Sequence, residues 1–435
     1  MHSHRAKRLQ LHVTVGGLLA IAACVSLSSP REPGRSIPDV RGTYKSGRDQ
    51  VVRILLPTPD SGSEVGSTGD WVVQSSDGHV ATFRATQRVA LPIPGFQDCN
   101  VAGFCTDVQT SGKLGAGRGP FIARPKNDDS FITWAGKRYR GELVISLADS
   151  ITVINRVPMD SYLRGVVPLE IGNRTPAEFA AVQAQAVAAR TYSYKHLNSA
   201  RPFDMYATVQ DQVYGGVDAE KPQSDSAIAT TADIVVLYGG QPITTPYHST
   251  CGGSTAAVSE VWYDQPDQPY LRPVSDRIPA SDHYYCDPSP RFSWTQSYDA
   301  ASLRAVMEKY LATYTNAPKS GLGKITDIKE QGRTPSGRVA ALTVQTANGS
   351  YTLRGNDIRF VLRDPKGAIL NSTFFSLSEE KNGGEVTGFT VNGRGYGHGI
   401  GMCQWGAIGR ARAGQNYRTI LETYYPGTTI GRIAS

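Results

Sequence analysis

Charge is scarce in this chain. Charged residues make up 19% of its 435 residues, and the formal net charge is +7. Even that excess is local. Residues 1–48 hold Arg5, Lys7, Arg8, Arg31, Arg35, Arg41, Lys45 and Arg48 against Glu32 and Asp39, which leaves about +1 for everything after them. The body therefore lacks the basic stripe that nucleic-acid binding requires, and no nucleic-acid partner is expected. Cysteine is also rare, with six in all. A chain this long buries enough surface to fold without disulfides or metals. Long apolar runs are missing, apart from residues 11–23, and that run is short for a bilayer span. There is no internal repeat.

What is present is a turn-rich globular composition, with 40% hydrophobic residues, 45 Gly and 26 Pro. The length corresponds to about two domains. Arg5, Lys7 and Arg8 precede the apolar run, and small residues follow it, which is the pattern of a secretory signal over residues 1–23. Ile21-Ala22-Ala23-Cys24 has the form of a bacterial lipobox, with Cys24 as the lipidated residue. Ordinary cleavage near Ala23 and an uncleaved anchor are the alternatives. Residues 24–48, rich in Ser, Pro, Gly and Arg, read as a flexible tether. The expected location is the periplasm or cell envelope, with attachment to the membrane through the lipid. Export favours disulfides. Cys99 and Cys105 are candidates for a local pair, and Cys251 and Cys286 for a second, which leaves Cys403 free. Connectivity does not follow from spacing alone.

Residues 49–435 read as an α+β body, strand-rich, in two lobes of about 49–295 and 296–435. Strands are expected at residues 51–56, 143–146 and 151–154. The period then changes. Thr175-Pro176-Ala177-Glu178 combines an N-cap, a proline at the first helical position and a capping-box glutamate. It opens an Ala-rich helix running to about Asn198. Hairpins are expected around Gly239-Gly240 and Asn348-Gly349. Further helical patterns cover residues 302–314 and 408–425.

Four segments carry residues suited to chemistry. Glu170 follows Val166-Val167-Pro168-Leu169. A carboxyl among apolar neighbours is costly to ionise, and this keeps a general acid protonated near neutral pH. Equally, it reads as a capping residue in a loop. Arg190 lies in the Ala-rich helix, where a buried cation needs a partner. Glu170 and a structural carboxylate elsewhere are both open. Gln212, Tyr214 and His248 sit in polar, glycine-bearing segments (Gln212-Val213-Tyr214-Gly215-Gly216 and Tyr247-His248-Ser249-Thr250-Cys251-Gly252-Gly253). These read either as ligand-approaching backbone or as ordinary turns. Last, alternating glycines from Gly393 to Gly401 surround His398 and lead to Gln404. No Lys-Ser/Thr follows, so this is not a phosphate loop. Aromatic and amide groups in a groove suit sugar binding.

Taken in order, Tyr162 to Glu170, Ala184 to Tyr192, Gln212 to Gly216, His248 to Gly253 and Gly395 to Ala407 resemble the stage II sporulation protein D family, which includes the amidase enhancers of bacterial cell walls. The resemblance covers residues 50–430. It implies a peptidoglycan lytic transglycosylase, with no cofactor. Such an enzyme cuts the bond from N-acetylmuramic acid to N-acetylglucosamine in peptide-stripped glycan strands and leaves 1,6-anhydro ends. The family's catalytic glutamate falls on Glu170. Arg190, Gln212, Tyr214, His248, His398 and Gln404 fall in matching motifs as glycan contacts. Some clostridial members carry zinc-binding cysteines where this chain has Met205 and Asp211, so no zinc is expected there. His248 with Cys251 and Cys286 offers another donor set, against which export favours the disulfide. Two other functions stay open: a non-catalytic activator of a cell-wall amidase, and a glycan-binding wall protein.

Overall fold

The computed structural model describes residues 45–59, 63–91, 119–147 and 151–433. The expectations for the leader, Cys24, most of the tether, Cys99 and Cys105 lie outside them.

Alternation builds the first part. In Val51–Leu56, the residues Val52, Ile54 and Leu56 turn inward and are at most 2% exposed. The strand pairs antiparallel with Ile151–Pro158, with Val52 opposite Val157. These two sit in a seven-stranded sheet that continues through Glu142–Leu147, Phe121–Pro125, Trp71–Gln74 and Val80–Phe83. Met205–Tyr206 closes its other edge, in parallel.

Ile151–Pro158 runs directly into helix α1 (Met159–Ile171). Glu170 is therefore helical, on the last turn of α1, rather than in a strand-to-helix loop. Gly172, at φ +74°, ends the helix, a conformation open to glycine. The capping box forms as expected, with the Thr175 N–H donating to Glu178 Oε2 at 2.8 Å. A short 3₁₀ turn (Pro176–Glu178) leads into α2 (Phe179–His196). From Ala184 to Tyr194 every residue of α2 is buried. A helix without a polar face belongs inside a larger body. Its small side chains let α1, α3 (Pro222–Thr230) and the C-terminal helices pack closely around it. The other helices are α4 (Val258–Val261), α5 (Ala300–Tyr314), α6 (Asp357–Val361), α7 (Gln404–Arg412) and α8 (Tyr417–Tyr424). The architecture is α+β.

The lobes divide differently from the sequence expectation. A second hydrophobic core runs from Tyr298 to Val391 and includes Leu303, Met307, Val344, Leu353 and Phe389. The first core resumes at Ile400 and continues to Ile433. Residues beyond 400 thus belong to the first lobe, and the second lobe is an insertion, not a C-terminal half. Two pairings make the return. Thr429–Arg432 adds antiparallel to Ile234–Tyr238. Met402–Cys403 pairs in parallel with Tyr247–His248.

Candidate active site around Glu170

The site forms where the end of α1 meets the start of α7 and the Gln212 segment. Glu170 is 2% exposed. Its Oε1 accepts the Val213 N–H at 3.1 Å, and the Gln404 and Tyr247 side chains also lie at the carboxyl. Burial pushes its pKa from 4.5 up to about 8. The Val213 N–H and the side chains of Gln404 and Tyr247 pull the other way, and among the described residues no charged neighbour contributes. The carboxyl is consequently protonated at neutral pH, as a general acid must be.

The neighbours are held in turn. Gln404 Nε2 donates to the Glu170 backbone oxygen at 3.0 Å and to Gln185 Oε1 at 3.3 Å. Gln212 is fully engaged: Oε1 accepts from Tyr162 and Ser193 hydroxyls, each at 3.1 Å, while Nε2 donates to the Ala189 oxygen at 3.3 Å and the Tyr247 hydroxyl at 3.1 Å. Tyr247 thereby links Gln212 to Glu170. Trp405 follows Gln404, is only half-buried, and carries the Arg174 guanidinium 5.3 Å from its ring centre.

Other expected contacts lie elsewhere. Arg190 does not partner Glu170. It donates to the oxygens of Ile228, Thr231 and Ile234 at 3.1, 2.8 and 3.3 Å, and it faces Asp160 at 3.5 Å. It fastens α2 to the end of α3, and the structural reading is the correct one. Tyr214 donates to Asn155 Oδ1 at 2.9 Å beneath Tyr139 and Tyr162. His398 Nε2 donates to the Tyr247 oxygen at 2.9 Å, and its Nδ1 accepts the Ile400 N–H at 3.0 Å. His248 Nδ1 donates to the Ile400 oxygen at 3.1 Å, leaving Nε2 without a partner. Both histidines are buried, and burial lowers their pKa. They tie the His248 and Gly-rich segments together as neutral rings. Gly401, at φ +70°, sits so close to the Pro246 oxygen that a Cβ would overlap it. That close approach accounts for glycine here.

The six residues expected to touch glycan are all buried and make hydrogen bonds inside the protein; Gln404 holds the Glu170 backbone directly, and Gln212 reaches Glu170 only through Tyr247. Sequence reasoning did not single out Tyr247, Gln185 or Trp405, although all three lie in the quoted motifs. A cavity of about 720 Å³ lies apart from this site, between Trp294, Phe374, Asn392 and Arg394 of the inserted lobe. Cys251 and Cys286 are thiols with their Sγ atoms 3.5 Å apart, and are not joined as expected.

A buried acid held by a helix end and amide side chains, within an α+β body, defines a glutamate-centred site. The stage II sporulation protein family model matches residues 148–238, and a domain of unknown function matches residues 278–401. Stage II sporulation protein D of Bacillus subtilis is 32% identical, over 64% of this chain and 75% of its own length. An uncharacterised protein of Brachyspira hyodysenteriae is 33% identical, over 70% of this chain and 75% of its own. The amidase enhancer of Bacillus subtilis is 32% identical over 62% of this chain, which spans only 40% of that longer protein. The chain belongs to the stage II sporulation protein D family, and this membership supports a cell-wall-related function.

Proposed function

We propose that the chain is a lytic transglycosylase of peptidoglycan, acting on peptide-stripped glycan strands, with Glu170 as its single acid and base. The observation that carries this reading is the Glu170 carboxyl enclosed among apolar neighbours at the end of α1, where burial pushes its pKa up to about 8. The carboxyl gives its proton to the glycosidic oxygen as that bond breaks. The resulting carboxylate takes the proton of the muramyl 6-hydroxyl, which closes on the anomeric carbon. One group suffices, because no water attacks and no second carboxylate is needed as nucleophile. The half-buried ring of Trp405 offers an apolar face for a sugar beside Gln404. The near-neutral charge of the body suits strands that have lost their peptide carboxylates.

The test is digestion of amidase-treated glycan strands, with anhydro-muramyl ends read by mass spectrometry. Products are expected from the native chain and not from Glu170→Gln. Equal cleavage by the variant would reject the assignment.

A second reading has its own support. Glu170 is almost wholly enclosed, and one relative is named an amidase enhancer. Stimulation of a cell-wall amidase that survives Glu170→Gln, without strand cleavage, would favour an activator role. Association with the cell envelope fits both readings. Among the described residues no helix is long and apolar enough to cross a membrane. Lipidation of Cys24 would be read from the mass of the mature N-terminus.

A further inference from the structure

Four donor side chains from distant parts of the chain converge behind the glycine-rich segment. Cys251, Asp276, Cys286 and Cys403 are all buried, and one ligand atom from each lies within 4.8 Å of the other three. Cys251 and Cys286 Sγ are 3.5 Å apart, and Cys251 Sγ is 3.6 Å from Asp276 Oδ2. A disulfide needs about 2.05 Å between sulfurs. Bonds of about 2.3 Å from a tetrahedral zinc would place two sulfurs about 3.8 Å apart. The observed spacing is close to the second figure.

Hydrogen-bond donors and cations surround the four ligand atoms. Cys403 caps the start of α7, and its sulfur accepts N–H groups from Cys251 at 3.1 Å and Gly406 at 3.2 Å. Those donors and the positive end of the helix would face the charge of a metal-bound sulfur. Two buried arginines flank the cluster. Arg410 faces Asp276 Oδ1 at 3.2 Å. Arg338 donates to the Cys251 oxygen at 3.1 Å and forms no ion pair among the described residues. Three thiolates and a carboxylate around a divalent ion would leave two negative charges, which these two cations offset. Tyr424 donates to Asp276 Oδ1 at 2.6 Å, orienting the carboxylate as partners of metal ligands do.

We propose that Cys251, Cys286, Cys403 and Asp276 form a closed, structural Zn²⁺ site. Thiolate-rich donors select a soft or borderline ion, and four buried ligands leave no open position for catalysis. Binding releases the thiol protons to solvent and involves no oxidation. The ion pins the Cys251 segment, the chain around Cys286 and the start of α7 into one unit. Because Gln404 follows Cys403 directly, the same pin fixes the residue that holds the Glu170 backbone. This site replaces the disulfide and the metal-free state expected from sequence. It differs from the Met205 and Asp211 positions considered there.

The test uses the full chain, purified without chelator. Elemental analysis is expected to find stoichiometric zinc. Peptide mapping after alkylation is expected to find Cys251, Cys286 and Cys403 unmodified until a chelator and denaturant are added, then fully labelled. Cobalt substitution should give the thiolate-to-metal charge-transfer band of a tetrahedral sulfur site. Cys286→Ser and Cys403→Ser should each lose the metal. If those variants fail to fold, the cobalt spectrum and the labelling of the native chain decide alone. A Cys251–Cys286 disulfide peptide with no bound transition metal would overturn the proposal. So would full zinc retention in Cys403→Ser.

Discussion

Two glutamates eight residues apart, one at the end of α1 and one at the start of α2, behave in opposite ways. Glu170 and Glu178 are both buried and each accepts a backbone N–H, from Val213 and Thr175 respectively. Burial raises the pKa of each. At Glu178 the Thr175 N–H and Arg412, 2.6 Å away, outweigh burial and bring it below the ordinary value. At Glu170 no cation contributes among the described residues, burial wins, and the value climbs to about 8. The lesson is that burial alone does not keep an acid protonated. What matters is whether a fixed positive charge accompanies it.

The largest expected effect that separates the two sites is on cleavage. Glu170→Gln should lower the rate of anhydro-end formation by about 10³-fold or more, in the range of lost general acid–base catalysis, while Glu178→Gln should retain activity in the folded fraction. Strand digestion checks both. Next is stability against pH. Between 4.5 and about 8 the folded state keeps a proton on Glu170 that the unfolded chain has released. Stability should therefore fall as pH rises through that window, by on the order of 1 kcal/mol per pH unit, and level off above it. Glu170→Gln should remove this contribution, as urea unfolding across the window would reveal. A smaller effect should follow Tyr247→Phe. It removes a group that favours the charged form of Glu170, so the alkaline limb of the pH–rate profile should move upward. The smallest should come from Arg412→Met. The depressed pKa of Glu178 stabilises the fold above the ordinary carboxyl range and is lost as pH falls through it. Without Arg412 that acid-side loss should shrink, with about 1 kcal/mol or less given up at neutral pH, since Arg412 is partly exposed. Unfolding at acid and neutral pH would measure it.

Much of this was legible without coordinates. The capping box at Thr175, the Ala-rich helix and the hairpins at Gly239-Gly240 and Asn348-Gly349 depend on neighbours within a few residues, and all appear. Glu170 was recognisable from its apolar run and its motif. The roles of the other motif residues were not. Arg190 and Gln212 look alike in sequence as polar residues among apolar ones, yet one closes the end of α3 and the other supports Tyr247. No local pattern separates them, because their partners lie 19 to 50 residues away. The lobe boundary failed for the same reason. Nothing in residues 400–433 states which core they will join.

Taken alone, the sequence determined the family motifs, the local elements and the near-neutral charge of the body after residue 48, since each rests on composition or short spacing. The tertiary structure decided that Glu170 is enclosed with no cation beside it among the described residues, that the second lobe is an insertion, and that Cys251, Asp276, Cys286 and Cys403 meet. Desolvation and coordination depend on which distant groups share a few ångströms, and only the folded chain brings those groups together.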